Sequence, residues 1–393
     1  MRTSIRSARW IQLVEDGDFL VDAKLVIDNV EYTDIRDLKI ERPGLAEQFG
    51  IGGTLCSSMS VTIKTENVIP KSAEVEAKMR LKGLDGDSPT NWVTMGKWYI
   101  NDRDTSYAGL VKLECFDKML LLEVNFPMTN WPKTQVATVQ YIANYLDIEL
   151  DSRNVLDATL MTQYPFAYTM RETLGHIGAC NGGNWIITED HKLRLVPLFN
   201  VNGDTGSVIA ILKDLRVSAP NTITGVTMSD TSTHEYEIGD SEDAVITSYQ
   251  NPSVTKEVAQ AIYDRYLNMT YQSYTCQSAI YDPAFEAGDI LDFHGIVTGQ
   301  IYDVSLSIGG GFRADLTCPE PSDMASEYPS GMARMEGRVN ELANQEMGGR
   351  NYIRESNTLT FDGYSFVWKF KYNGNIATLN GNRMEVRKYA GTN

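Results

Sequence analysis

Two pairs of carboxylates are the first residues in this chain that could do chemistry. Asp102-Arg103-Asp104 and Glu286-Ala287-Gly288-Asp289 each hold two acids within a few positions. A glycosidase needs two carboxyl groups facing across a cleft, one to protonate the leaving group and one to act as base or nucleophile. A chain with 52 acidic residues supplies such pairs by number alone. Their contexts favour turns: a solvated turn between hairpin strands for Asp102 and Asp104, and a turn position before Ile290-Leu291-Asp292-Phe293 for Asp289. The four histidines, His176, His191, His234 and His294, never stand at H-x-H, H-E-x-x-H or H-x-x-x-H spacing, so no zinc site is indicated. His176 falls on a capped helix and is expected to pack or hydrogen-bond; His191 falls in a turn and is expected to be solvated. Gly50-Ile51-Gly52-Gly53-Thr54 lacks the lysine and the strand-to-helix context of a phosphate loop. It reads as a strand entry with unusual backbone angles. No G-x-S-x-G nucleophile elbow occurs.

The five cysteines, Cys56, Cys115, Cys180, Cys276 and Cys318, are odd in number and never form C-x-x-C. Most sit in apolar strand or helix contexts and read as core thiols kept reduced in a cytoplasm-like compartment. No catalytic residue, metal site or cofactor is assigned. One aromatic row, Tyr364, Phe366, Trp368 and Phe370, alternates along a strand. It reads either as core packing or as a platform for stacking carbohydrate.

The scaffold for these residues is large. With 393 residues, two to four domains are expected. Apolar content of 42% and charged content of 22% suit a chain that buries a core. The formal net charge of −17 repels nucleic acid and anionic lipid. It would suit a wall that DNA passes without sticking. The basic start, Met1 to Trp10, has no apolar stretch behind it and does not read as a signal peptide. No apolar run approaches a membrane span.

Residues 1 to about 125 read as short strands. Leu20–Asp28 and Cys56–Lys64 alternate apolar and polar side chains, as half-buried strands do. Asn125-Phe126-Pro127 and Asn130-Trp131-Pro132 mark a boundary. Beyond it Val136, Val139, Ile142 and Leu146 predict an amphipathic helix over 133–147. Thr169 and Glu172 have capping-box spacing ahead of a second helix striped by Met170, Leu174 and Ile177. That helix should stop at Asn181-Gly182-Gly183, before a hairpin over 184–196. A further helix is expected after Asn251, with Pro252 in its first turn and Val254, Val258, Ala261, Ile262 and Leu267 facing inward. Near the end, Met332, Met335, Val339 and Leu342 stand at a/d spacing. They read either as chance periodicity or as a self-association neck.

One pattern occurs twice. Gly96, Tyr99, Leu113 and Cys115 superpose on Gly299, Tyr302, Leu316 and Cys318 at a single offset without a gap. Each copy reads as a strand, a turn and an alternating strand, which suggests one β unit used twice.

Three blocks carry a resemblance. Tyr168-Thr-Met-Arg-Glu-Thr-Leu-Gly175-His-Ile-Gly-Ala, with Asn181-Gly-Gly-Asn-Trp185-Ile-Ile and Lys192-Leu-Arg-Leu-Val-Pro197, resembles a block in baseplate or tail-hub proteins of long-tailed bacteriophages, in particular those of Gram-positive phages and prophages. Trp98-Tyr-Ile-Asn-Asp with Leu113-Glu-Cys-Phe-Asp-Lys-Met-Leu is similar to their first β unit. Ala279-Ile-Tyr-Asp-Pro-Ala-Phe-Glu-Ala-Gly-Asp289 and the hairpin after it are similar to their second. The likeness spans roughly residues 20–325. It implies a mainly β fold with α insertions (α+β): two similar β-barrel hub domains at 1–128 and 201–325, and a helix-containing insertion domain at 129–200. A linker and short helical neck would follow at 326–350, then a small C-terminal β module at 351–393. It implies a structural, non-enzymatic virion component whose homotrimer forms a pseudo-sixfold ring. The partners implied are a distal tail or tail-tube ring protein, the C-terminus of a tape-measure protein, and tip, fibre or receptor-binding proteins. DNA would transit without specific binding, and the particle would be assembled in the host cytoplasm. Many relatives continue into hydrolase or receptor-binding extensions, for which 351–393 leaves little room. The competing expectation is a cell-wall glycan-binding or peptidoglycan-hydrolysing tail protein, built on the aromatic row and the carboxylates.

Overall fold

The computed structural model describes residues 1–319 apart from 18, 46–48, 85–87, 106–108, 127–132, 163–167, 232–233, 241–242 and 310, together with the backbone of four strands between 357 and 388. The chain divides into two compact units, Met1–Glu341 and Leu342–Asn393.

The first unit opens on a helix where the sequence suggests only strands. Helix α1, Ala8–Asp16, is capped by the Ser7 side chain, which accepts from the Trp10 N–H at 3.2 Å. It stops at Gly17, whose left-handed φ of 72° relieves the helix end. Trp10 and Leu13 form its buried face. Strands β1 (Phe19–Ile27), β2 (Val30–Tyr32), β3 (Ile35–Arg42), β4 (Ser58–Lys64), β5 (Glu74–Gly83), β6 (Val93–Asp104) and β7 (Leu110–Phe116) follow. In β4 and β7 apolar residues alternate with polar ones, burying one face.

The middle segment carries β8 (Lys133–Thr134), α2 (Gln135–Tyr145), β9 (Glu149–Leu150), β10 (Met161–Thr162), α3 (Met170–Cys180), β11 (Gly183–Ile187) and β12 (Lys192–Pro197). The capping box is present: Thr169 accepts from the Glu172 N–H, and the Glu172 carboxylate accepts from the Thr169 N–H at 2.6 Å. Val139, Ile142 and Leu146 meet Met170, Leu174 and Ile177 in a core separate from that of the main sheet. Val136 does not join them; it is 36% exposed at the start of α2.

The rest of this unit contains β13 (Thr205–Ser207), β14 (Ala210–Ser229), β15 (Glu235–Gly239), β16 (Ala244–Ser248), α4 (Lys256–Tyr266), β17 (Thr270–Ile280), β18 (Ile290–Asp292), β19 (Thr298–Gln300), β20 (Asp303–Ile308) and β21 (Phe312–Cys318). Helix α4 starts later than Pro252 suggests, because Thr255 is the residue whose hydroxyl caps it, accepting from the Val258 N–H. Its inner face is Val258, Ala259, Ile262 and Tyr266; Ala261 is exposed, and Leu267 lies past the helix end, 37% exposed.

Two closed barrels are the sequence expectation. Thirteen of the described strands form instead one open sheet in the order β15-β14-β17-β21-β20-β3-β4-β7-β6-β5-β1-β2, with β16 beside β14, and β10-β8, β11-β12-β9 and β13-β18-β19 form small separate sheets. The reason is where β20 spends its second edge. Val304–Ile308 pair antiparallel with Leu38–Arg42 of β3, so that edge joins two parts of the chain and does not close one of them.

Within this sheet a four-strand order occurs twice: β3-β4-β7-β6 and β14-β17-β21-β20. Three strands match in register. Leu38, Val61 and Leu113 stand in one row, as do Leu215, Cys276 and Leu316. The next inward row is Ile40, Met59 and Cys115 in one copy and Val217, Tyr274 and Cys318 in the other. The hairpins themselves differ: Leu113 pairs with Arg103, whereas Leu316 pairs with Val304, two residues nearer the strand start than the repeat requires.

The second unit shows four antiparallel strands in order, β22 (Asn357–Phe361), β23 (Phe366–Tyr372), β24 (Asn375–Asn380) and β25 (Arg383–Lys388).

Candidate functional site

The sequence candidates scatter. Asp102 and Asp104 lie at the exposed end of β6. The Asp102 carboxylate accepts from the Arg103 N–H at 2.8 Å, and the Arg103 guanidinium reaches the Ile69 carbonyl. Glu286 and Asp289 are buried, at 4% and 2% exposure. Met332, Met335, Val339, Leu342 and Tyr364 fall outside the described residues. Phe366, Trp368 and Phe370 occupy alternate positions of β23, an inner strand of its sheet.

Glu286 stands in a buried ionic junction assembled from distant segments. Arg153 and Arg194 approach its Oε1, the latter at 3.7 Å. Arg153 also holds Asp151 at 2.6 Å. Beside Glu286 is Glu189, from the turn between β11 and β12, paired with Arg42 of β3 at 3.2 Å. The Met1 ammonium contacts Asp289 at 2.7 Å and Asp204 at 2.9 Å, and Arg6 contacts Asp282 at 3.0 Å. Burial, then the Glu189 carboxylate, push Glu286 up to about 7, against the pull of Arg153 and Arg194. Glu189 moves down, because Arg42 and Arg2 outweigh its burial. The two shifts run in opposite directions, so Glu286 is the carboxyl of this pair that takes up a proton first as pH falls.

This geometry cannot take a glycan. The enclosed space beside Glu189, Glu286, Asp117 and Tyr281 is about 20 Å³, room for about one water. Glycosidase carboxyls stand roughly 5–9.5 Å apart across an open cleft, whereas Glu286 and Glu189 are buried beside this small space. The junction ties the helical segment to the sheet.

The glycine-rich strip serves the same attachment. Gly52, at φ 89°, donates its N–H to the Gly183 carbonyl at 3.0 Å. Gly53 donates to the Asn184 side chain at 2.7 Å, and the Trp185 N–H donates to the Gly53 carbonyl at 2.8 Å. A Cβ on Gly175 of α3 would lie 2.6 Å from the Gly52 oxygen, so only glycine permits this approach. Arg171 closes the seam by donating to the Thr54 carbonyl at 2.9 Å. The block Asn181–Trp185 that carries the family resemblance is therefore a docking seam.

The remaining candidates have structural surroundings. The His176 ring lies edge-on to Tyr168 at 4.9 Å, and burial lowers its pKa to about 4. His191 adopts a left-handed φ of 61° and is half-buried, contrary to the solvated turn expected of it. Burial pushes the Cys115, Cys180 and Cys318 thiols up to about 12, which leaves them unreactive near neutral pH. Among the described residues no group of three or more metal-ligating side chains converges.

Sequence reasoning missed the arginines. Arg194 sits between Leu193 and Leu195 on a strand with all three buried. A charge inside an apolar run of β12 was the available signal for a buried ion pair.

No family model matches the chain, and no curated protein matches its sequence. Solved structures do. The 43 kDa tail protein of prophage MuSo2 from Shewanella oneidensis aligns with a TM-score of 0.51 at 14% identity, covering 76% of this chain and 97% of that one. A tail protein from Neisseria meningitidis MC58 aligns with a TM-score of 0.49 at 14% identity, covering 76% and 96%. The prophage tail protein gp18 from Listeria monocytogenes EGD-e aligns at 0.45 and 9% identity, covering 81% and 99%. Over 76% of its length, the chain thus has the fold of the MuSo2 tail protein.

Proposed function

We propose that this chain is a structural component of a bacteriophage tail, and within it the hub at the tail tip. The observation that carries the reading is the fold shared with the MuSo2 tail protein over nearly all of that protein's length. In this reading residues 1–128 and 201–325 supply the two β units, 129–200 the helical insertion, 326–350 a neck and 351–393 a terminal module. Three copies form a ring with six similar β units, which matches a threefold tip to a sixfold tail tube. The tail-tube ring protein sits above it, and the end of a tape-measure protein and tip or fibre proteins contact it. DNA passes through the middle, and the net charge of −17 keeps the wall from holding it. The doubled four-strand order supports this, since a ring of six like parts needs two per chain.

Light scattering with crosslinking tests the proposal on the full chain, alone and with a tail-tube ring protein. A threefold particle is expected in at least one condition. A stable monomer in both overturns it.

A further inference from the structure

The second unit is a sheet with two unlike faces. Its strands β22 to β25 pair in sequence order, so register alone assigns each residue to a face. One row across all four strands is Leu359, Trp368, Leu379 and Met384. The next row of that face runs from Asn357 through Phe370 and Ala377 to Val386, and Phe361 pairs with Phe366 on the other side. The polar members of this face, Asn357, Asn375 and Lys388, gather at one end of the sheet. The opposite face carries Lys369, Lys371, Arg383 and Arg387 against one acid, Glu385.

A sheet of this kind needs a second layer over its apolar face. Among the described residues of the unit there is none; the four strands are its only elements. Below about 40 residues, folded domains usually draw on disulfides, a metal or association. The last cysteine is Cys318 and the last histidine His294. The unit therefore holds no disulfide and lacks the usual ligands of a structural zinc. Association remains. The outer strand β25 alternates Arg383, Glu385 and Arg387 with apolar residues, and charge on an edge strand discourages growth of the sheet by that edge. The face is the surface left for a partner.

We infer that the apolar face of β22–β25 is covered by the same face in other copies of this chain. The residues just ahead of the sheet, Met332, Met335, Val339 and Leu342, have the a/d spacing that sets identical segments side by side. Charge agrees, because the basic residues share the opposite face and like charges stay on the outside of such an assembly. A sugar platform sets polar groups beside its rings to bind hydroxyls, whereas Trp368 has Leu359 and Leu379 as its register neighbours. An apolar centre with polar residues at its margin is the makeup of a protein interface. The number of copies, three about one axis, rests on the ring reading above; the contact itself does not.

Photo-crosslinking of the full chain tests it, with a benzophenone amino acid in place of Phe370 or, as the control, in place of Lys369 on the opposite face. Irradiation with the probe at Phe370 should give covalent pairs of chains joined within residues 357–388, and the probe at Lys369 should give few. Trp368→Lys, followed by light scattering over a dilution series, should raise the concentration for half-assembly by about tenfold or more. Adducts from position 370 that stay within one chain, or that join it to residues 1–341, overturn the inference. So does binding to purified peptidoglycan that Trp368→Lys abolishes while no chain pairs form. Threefold particles without adducts at position 370 overturn it too, and leave the ring reading standing on another surface. Adducts in a twofold particle keep the contact and remove the ring. A chain that stays monomeric and uncrosslinked removes both.

Discussion

Two joints hold the first unit together, and they are built from opposite materials. Where β3 meets β20, the contact is a strand ladder with Leu38, Ile40, Leu306 and Ile308 buried on one side. Where the helical segment meets the sheet, the contact is Arg42, Arg153 and Arg194 around Glu189 and Glu286. The first gains from each methylene removed from water and degrades gradually. The second gains little overall, because desolvation offsets the attraction, yet fails sharply when one member is lost. The ladder supplies cohesion, and the ion set fixes the one arrangement in which the helical segment docks.

The sharpest break should come from Arg194→Ala. It leaves Glu286 buried with one cation fewer, and chemical denaturation should show a loss of about 3–5 kcal/mol. A gentler perturbation belongs to the ladder. Ile40→Val removes one methylene from a fully buried position, and the same measurement should register about 1 kcal/mol. Equal losses at the two positions would erase the distinction between the joints.

A third effect is a slope. Glu286 is raised from 4.5 to about 7 in the folded chain. Its contribution to stability is fully present below about 4.5 and is lost as pH rises through 7. Glu189 is lowered, so its contribution is present above 4.5 and fades as pH falls. Stability of the wild type should therefore decline between about pH 5 and 7. Glu286→Gln, which cannot ionise, should flatten that decline. An unchanged slope would mean that the proton lies elsewhere.

Much of the local structure was legible in the sequence. Thr169 and Glu172 marked the start of α3 because a capping box is a short-range device. Helix α1 was equally legible, with Ser7 and Gly17 at its ends, but a basic segment ahead of strands invited no helix reading. The expectation that the sheets close into barrels failed for a different reason. Whether β20 closes on its own part or pairs with β3 depends on residues far apart in the chain, and no local pattern encodes it. The same holds for Glu286 and Asp289. Their spacing suggested a turn, and it is a turn, but the arginines and the ammonium that bury them come from other segments. The repeat was visible as four identities, whereas the row of Leu215 and Val217 was visible only once strand register was known.

The pairing of β3 with β20 also sets an order of events during synthesis. Leu38 waits for Ile308, which leaves the ribosome only after the whole helical segment has been made. Closing so long a loop is entropically costly, and such distant pairings slow folding. Until then the β3 edge is open, a template for the wrong neighbour. Lys39, exposed between the buried Leu38 and Ile40, and Glu41, exposed just after them, line that strand with charge. They act as guards of the nascent chain, and their service ends when β20 arrives.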